Sequence, residues 1–384
     1  MAHKWDIKQI RENKKYIESR LKNHNIDSKE KEKLRLSLIT NVSLLCASDS
    51  LFHTKIGYAI NDLLAKKISI CREQKYAQME SDMFLKSNDY IDEEYINFLL
   101  HIAQNLSDNA NNNLNDDIEF SKISLSEEDM IKISESFYQH LGDNEILTHA
   151  KKTLNGDTLQ FQESSITGYE DAKGLNLGDW VFNKSYCIIT NSHDLYTLQA
   201  LNHEVMHTVD FYECDKLPSE KYYGFQEIPT YTIDYLFIDY LDELGFDNVE
   251  IQKLRDKKFT YLQDLAKLTI LKIKTEVTRA KGLKAMKNMT AKDIMESVSV
   301  ETMKHLLELE SGIIAYGLQS QIKNNKEIGI SNLKQFMKKA LSKDKKPDFS
   351  DIGLTDEILL ELSSELGAYS RETIYSENIG KPKL

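Results

Sequence analysis

Residues 194–214 read DLYTLQALNHEVMHTVDFYEC. Leu195, Leu198, Leu201, Val205 and Val209 recur every three or four positions, and no Gly or Pro interrupts 194–217. That rhythm predicts a helix with one apolar stripe. Within it stands His203-Glu204-Val205-Met206-His207, the pattern H-E-x-x-H. On a helix, positions i and i+4 leave the same face one turn apart. Two imidazoles so placed can share one Zn²⁺ at about 2.0–2.1 Å per bond. Glu204 follows the first histidine, so its carboxylate can reach a water at that ion without being a ligand itself. The plain alternative is a charged helix face with two unrelated histidines.

A catalytic zinc needs a third protein ligand and one open position. Downstream candidates are Glu213, Cys214, Asp215, Glu220 and Glu227. The first three lie on or just past the same helix and have to fold back. Glu227 opens GFQEIPTYTIDYLFIDYLDEL, a second helical stretch long enough to pack antiparallel to the first, and a Glu there can face the two histidines. It is the preferred third ligand. Asp210 and Asp234 are candidates to orient the histidines from behind.

Working outward, SYCIIT (185–190) is short, β-branched and aromatic, the best strand candidate in the chain. Residues 153–183 hold 4 of the 15 glycines and predict irregular backbone or short strands. LSEEDMIKISESFYQHLG (125–142) predicts a helix capped by Ser126 and ended by Gly142. The Asn/Asp-rich stretch 107–117 reads as a loop, and residues 5 to about 105 read as helical. From 194 to the end helix dominates, apart from a charged turn at 342–351. The chain has 384 residues with 15 Gly and 4 Pro, few breakers for that length, which favours long helices over a sandwich or barrel.

The net charge of −12 argues against a nucleic-acid footprint, which needs a basic face. No run of 18 apolar residues exists, so no membrane span is expected, and the N-terminus has no apolar signal core. Cys46, Cys71, Cys187 and Cys214 form no C-x-x-C pair and read as reduced thiols, which fits a cytoplasmic location. There is no G-x-S-x-G, Walker A or G-x-G-x-x-G, so serine-hydrolase and nucleotide chemistry have no support.

T-L-x-x-x-x-H-E-x-x-H followed by F-x-E-x-P-[ST] resembles the M3 metallopeptidases, the thimet oligopeptidase and oligoendopeptidase F group. The matching residues are Thr197, Leu198, His203, Glu204, His207, Phe225, Glu227, Pro229 and Thr230. The resemblance covers roughly residues 125–375. It implies a mainly α, zincin-like fold with a small β element beside the active-site helix. It implies one Zn²⁺ per chain on His203, His207 and Glu227, and hydrolysis of short peptides rather than folded proteins. The strand at 185–190 becomes the edge along which an extended substrate docks. The chain reads as a short form, with an N-terminal helical segment at 1–118 and the catalytic domain at 119–384. Family members carry a His and tyrosines on a late helix that steady the transition state. The corresponding stretch is HLLELESGIIAYGLQSQI, with His305 and Tyr316. The family usually has Gly before the second histidine, where this chain has Met206.

The expected function is therefore a zinc endopeptidase acting on peptide substrates. Metal-activated water attacks, Glu204 serves as general base, and Tyr316 or His305 stabilises the oxyanion. The alternative is a helical binding or effector protein on a degenerate metallopeptidase fold, with catalysis weakened by Met206 and the thinned tyrosines. Neither nucleic acid nor membrane is an expected partner.

Overall fold

A computed structural model describes residues 5–23, 25–48, 91–108, 118–123, 125–162, 173–214, 217, 225–338 and 348–369. In chain order these form α1 (Ile7–Leu21), α2 (Ser28–Ser48), α3 (Glu93–Asp108), α4 (Glu127–Leu141), α5 (Asn144–Leu154), β1 (Leu159–Gln162), β2 (Gly174–Asp179) and β3 (Lys184–Thr190). There follow α6 (Leu195–Glu213), α7 (Ile228–Glu243), α8 (Asn248–Lys281), α9 (Leu283–Lys287), α10 (Ala291–Ser297), α11 (Val300–Asn324), α12 (Lys326–Lys338) and α13 (Asp356–Gly367). The fold is mainly α with one small sheet beside the H-E-x-x-H helix, as the sequence leads one to expect. Most of the expected loop at 107–117, and the Lys-rich turn from 342 to 347, lie outside the described residues. Two compact units are each assembled from two stretches of chain: 1–82 with 121–217, and 83–120 with 218–384.

The first unit is layered. Its sheet has the order β1-β3-β2, with β3 parallel to β1 and antiparallel to β2. Side chains alternate across the pleat. On one face Tyr186, Ile188 and Leu177 pack with Trp5, Ile10 and Leu44 of the N-terminal segment, and Trp5 meets Tyr186 edge to face at 5.9 Å. On the other face Ser185 and Cys187 turn toward α6. Polar side chains of α2 fasten β2: Thr40 donates to the Gly178 carbonyl at 2.7 Å, and Asn41 donates to the buried Asp179 carboxylate at 2.6 Å.

β3 is thus the central strand, bonded along both sides. This corrects the expectation that 185–190 is a docking edge. Its two partners, LQFQ and the glycine-containing GLNLGD, cover it. Among the described residues, no strand pairs with the other side of β2.

Local signals account for the helix starts. Ser126 and Asp129 form a capping box on α4, and Gly142 ends it in the left-handed region at φ 81°. Asp194 caps α6 by accepting from the Thr197 amide at 2.7 Å and its hydroxyl at 2.8 Å. The second unit is helical among its described residues. α11, buried along much of its length, packs against α3, α7, α8, α12 and α13.

Candidate active site

α6 is buried along most of its 19 residues. Leu195, Leu198, Leu201, Val205, Met206 and Val209 enter the core at or near zero exposure. Each such side chain contributes about 1.5–3 kcal/mol when fully buried. Met206, just before the second histidine, is accommodated at 0 % exposure. The half-buried positions include Tyr196, His203 and His207, spaced seven and four apart, so they share one face. The two imidazole rings stand 5.0 Å apart, centroid to centroid, at 83° to one another. That geometry lets one ring nitrogen of each converge on a small cation. Glu204, between them in sequence, is 7 % exposed.

The helix is held in rotation by polar tethers as well as by its apolar stripe. Asn202 donates to Ser134 at 3.0 Å, and its carbonyl accepts from the Tyr138 hydroxyl at 2.8 Å, tying α6 to α4. On the sheet side, Asn176 donates from its amide to the Glu204 carbonyl at 3.1 Å and to the Thr208 hydroxyl at 2.8 Å. The Cys187 thiol donates to the same Glu204 carbonyl at 3.3 Å. Burial pushes that thiol up to about 12, so it stays protonated and serves as a small packed donor. Asp210, the proposed orienter on this helix, is 6 % exposed three residues beyond His207.

In the second unit, Glu227 ends a 3₁₀ turn (Phe225–Glu227) and sits at the N-cap of α7, with Pro229 in the first turn. Phe225 anchors the turn against Phe336 and Phe349, at 6.5 and 5.5 Å between centroids. Thr230 donates to the Glu227 carbonyl at 2.8 Å and to its Oε2 at 3.2 Å, which fixes the carboxylate at the helix start. Glu227 is half-buried, and its carboxylate oxygen is a candidate metal ligand, as is one ring nitrogen from each of His203 and His207.

Two tyrosines that the sequence reading did not single out stand near Glu227. Tyr231, one turn on, donates to Glu308 at 3.3 Å, and the Tyr261 hydroxyl of α8 bonds the same carboxylate. Burial first, then the charges of Glu227 and its neighbours, hold the Tyr231 hydroxyl protonated well above its usual range. Burial and Glu308 do the same for Tyr261. The Lys258 ammonium lies 3.6 Å over the Tyr231 ring and 2.7 Å from Asp234 Oδ2. Asp234, offered from sequence as an orienter for the histidines, therefore has Lys258 as an ion-pair partner. Tyrosines at helical spacing look like core aromatics. The usable signal was Tyr231 at i+4 from a candidate ligand.

The late-helix residues separate. His305 and Tyr316 are 11 residues apart on α11, which is three turns and about 16 Å at 1.5 Å per residue. His305 is one turn before Glu308, the carboxylate that Tyr231 and Tyr261 share, and feels its charge. Its Nδ1 is buried with no hydrogen-bond partner among the described residues, and burial, then Lys272, lowers its pKa. Tyr316 donates to Glu365 at 2.8 Å. It lines a different cavity of about 410 Å³ with Tyr235, Asp239, Arg255, Phe259 and Lys323.

Comparison with known proteins gives backbone similarities alone. No protein-family model and no curated protein sequence matches the chain. Among solved structures, it is similar to a chain described as an oligoendopeptidase F from Bacillus anthracis, at 10 % identity and TM-score 0.44, over 97 % of this chain and 85 % of that one. It is similar to PZ peptidase A with an inhibitor, at 10 % identity and TM-score 0.47, over 96 % and 86 %. A peptidase chain from Chlamydophila abortus matches at 14 % identity and TM-score 0.44, over 88 % of this chain and 62 % of its own length.

Proposed function

We propose that the chain is a zinc-dependent endopeptidase acting on short peptides, with His203, His207 and Glu227 as metal ligands and Glu204 as general base. The observation that carries this reading is the α6 face. Two half-buried imidazoles sit one turn apart with their rings 5.0 Å apart, and a buried carboxylate adjoins them. Two imidazoles and one carboxylate are a donor set suited to zinc, with a fourth position left open. A bound zinc supplies Lewis acidity, easing deprotonation of water and polarising the carbonyl.

The chain's own groups do the rest. Glu204 takes a proton from the attacking water and delivers it to the leaving amine. Tyr261 and Tyr231, held protonated, are suited to donate to a developing oxyanion. His305, one turn from their shared Glu308, fits that role better than Tyr316, which lies three turns further along α11 and lines a separate cavity. The outward amides and carbonyls at Gly174 and Asn176 give an extended peptide a strand to pair with, now on β2.

The test is a quenched-fluorescent peptide library digested by purified protein, with and without a chelator, read by mass spectrometry. Chelator-sensitive cleavage restored by added zinc is expected. A zinc-loaded protein that cleaves nothing in the library would instead favour the binding-protein alternative.

A further inference from the structure

We infer that Gly174 is a positioning residue for Glu204, the missing Cβ being the space that the general base occupies; this rests on the endopeptidase reading above. A Cβ built at Gly174 lies 2.4 Å from Glu204 Cγ, 2.6 Å from Oε1 and 2.9 Å from Cδ. Carbon atoms need about 3.5 Å or more. The backbone at 174 is not in the left-handed region, so alanine meets no conformational objection there. Alanine otherwise suits a strand interior better than glycine. What glycine provides at 174 is therefore space beside Glu204.

The contact follows from register. Residues 174, 176 and 178 of β2 turn the same way across the pleat, and two strand residues advance about 6.8 Å. One turn of four helix residues advances about 6 Å. The strand and α6 stay nearly in step: Gly174 meets Glu204, Asn176 meets Thr208, and Gly178 meets Phe211. The Glu204 backbone cannot retreat, because its carbonyl is held by Asn176 and Cys187. Its side chain is the movable part. A methyl group at 174 thus displaces the carboxylate rather than the helix.

The experiment compares wild type with Gly174→Ala, Gly178→Ala, Glu204→Gln and the double variant Gly174→Ala/Glu204→Gln. For Gly174→Ala, kcat on a reporter peptide should fall about 100-fold, the scale of a 1 Å misplacement. KM should stay within about twofold, with zinc content and Tm unchanged. In the Glu204→Gln background the same alanine should lower the residual rate by less than about twofold, since the group it displaces no longer acts. Gly178→Ala, whose Cβ meets the Phe211 ring at 2.9 Å, should lower Tm with kcat retained. The inference is overturned if Gly174→Ala keeps wild-type kcat, loses zinc, drops in Tm as Gly178→Ala does, or costs the same in both backgrounds. A wild-type protein with no chelator-sensitive hydrolysis would overturn the endopeptidase reading itself, and this inference with it.

Discussion

α6 and α11 are both long, mostly buried helices that carry histidines. They differ in how their polar groups are spaced and held. On α6, His203 and His207 are one turn apart, half-buried, on a helix whose rotation is set by Asn202, Thr208 and the strand beneath it. On α11, His305 and Tyr316 are three turns apart, and Tyr316 is bonded to Glu365. The difference shows that helical spacing can define a chemical site within a turn. It says little about residues three turns apart, because neighbouring helices then decide what each one meets.

The contrast can be broken most severely at α6. His203→Ala should lose bound zinc and all chelator-sensitive hydrolysis, measured by metal analysis and peptide turnover, while Tyr316→Phe should change kcat by less than about twofold. If Tyr316→Phe instead cost more than Tyr261→Phe, Tyr316 would regain the donor role. Tyr261→Phe is expected to lower kcat by about 100-fold with KM little changed, at the low end of the range for loss of a charge-stabilising donor. Gly178→Ala should destabilise by about 1–3 kcal/mol through the crowded Phe211 ring, read from thermal unfolding.

The smallest effect concerns His305. Its pKa is depressed in the folded chain by burial and Lys272, so on acidification the unfolded chain takes up the proton first. The stability it contributes is present above the ordinary histidine pKa of about 6.5 and is lost as pH falls through the folded value. His305→Gln should therefore reduce the drop in Tm between neutral and mildly acidic buffer. An unchanged drop would mean another group titrates there.

Much of α6 and of the neighbouring caps and strand was legible because it is local. The i, i+4 histidines, the Asp194 and Ser126 caps and the β-branched run at 185–190 are all set by residues a few positions apart. The placement of β3 was not legible, since a single apolar run does not say which strands flank it, and its partners LQFQ and GLNLGD carry weak strand signals. Met206 looked too bulky for its place, yet a flexible thioether fits a fully buried gap. Tyr231 and Tyr261 were hidden because their significance lies in a shared contact with Glu308, 77 and 47 positions away. The same holds for Gly174, whose neighbour Glu204 is thirty residues on.

The most direct test of the account measures zinc and turnover together in Glu204→Gln. The expected result is about one zinc per chain, as in wild type, with hydrolysis reduced by a factor of about 100 to 10,000, the range for a lost general base. Turnover at the wild-type rate in the variant, or a wild-type protein that binds no zinc, would contradict it.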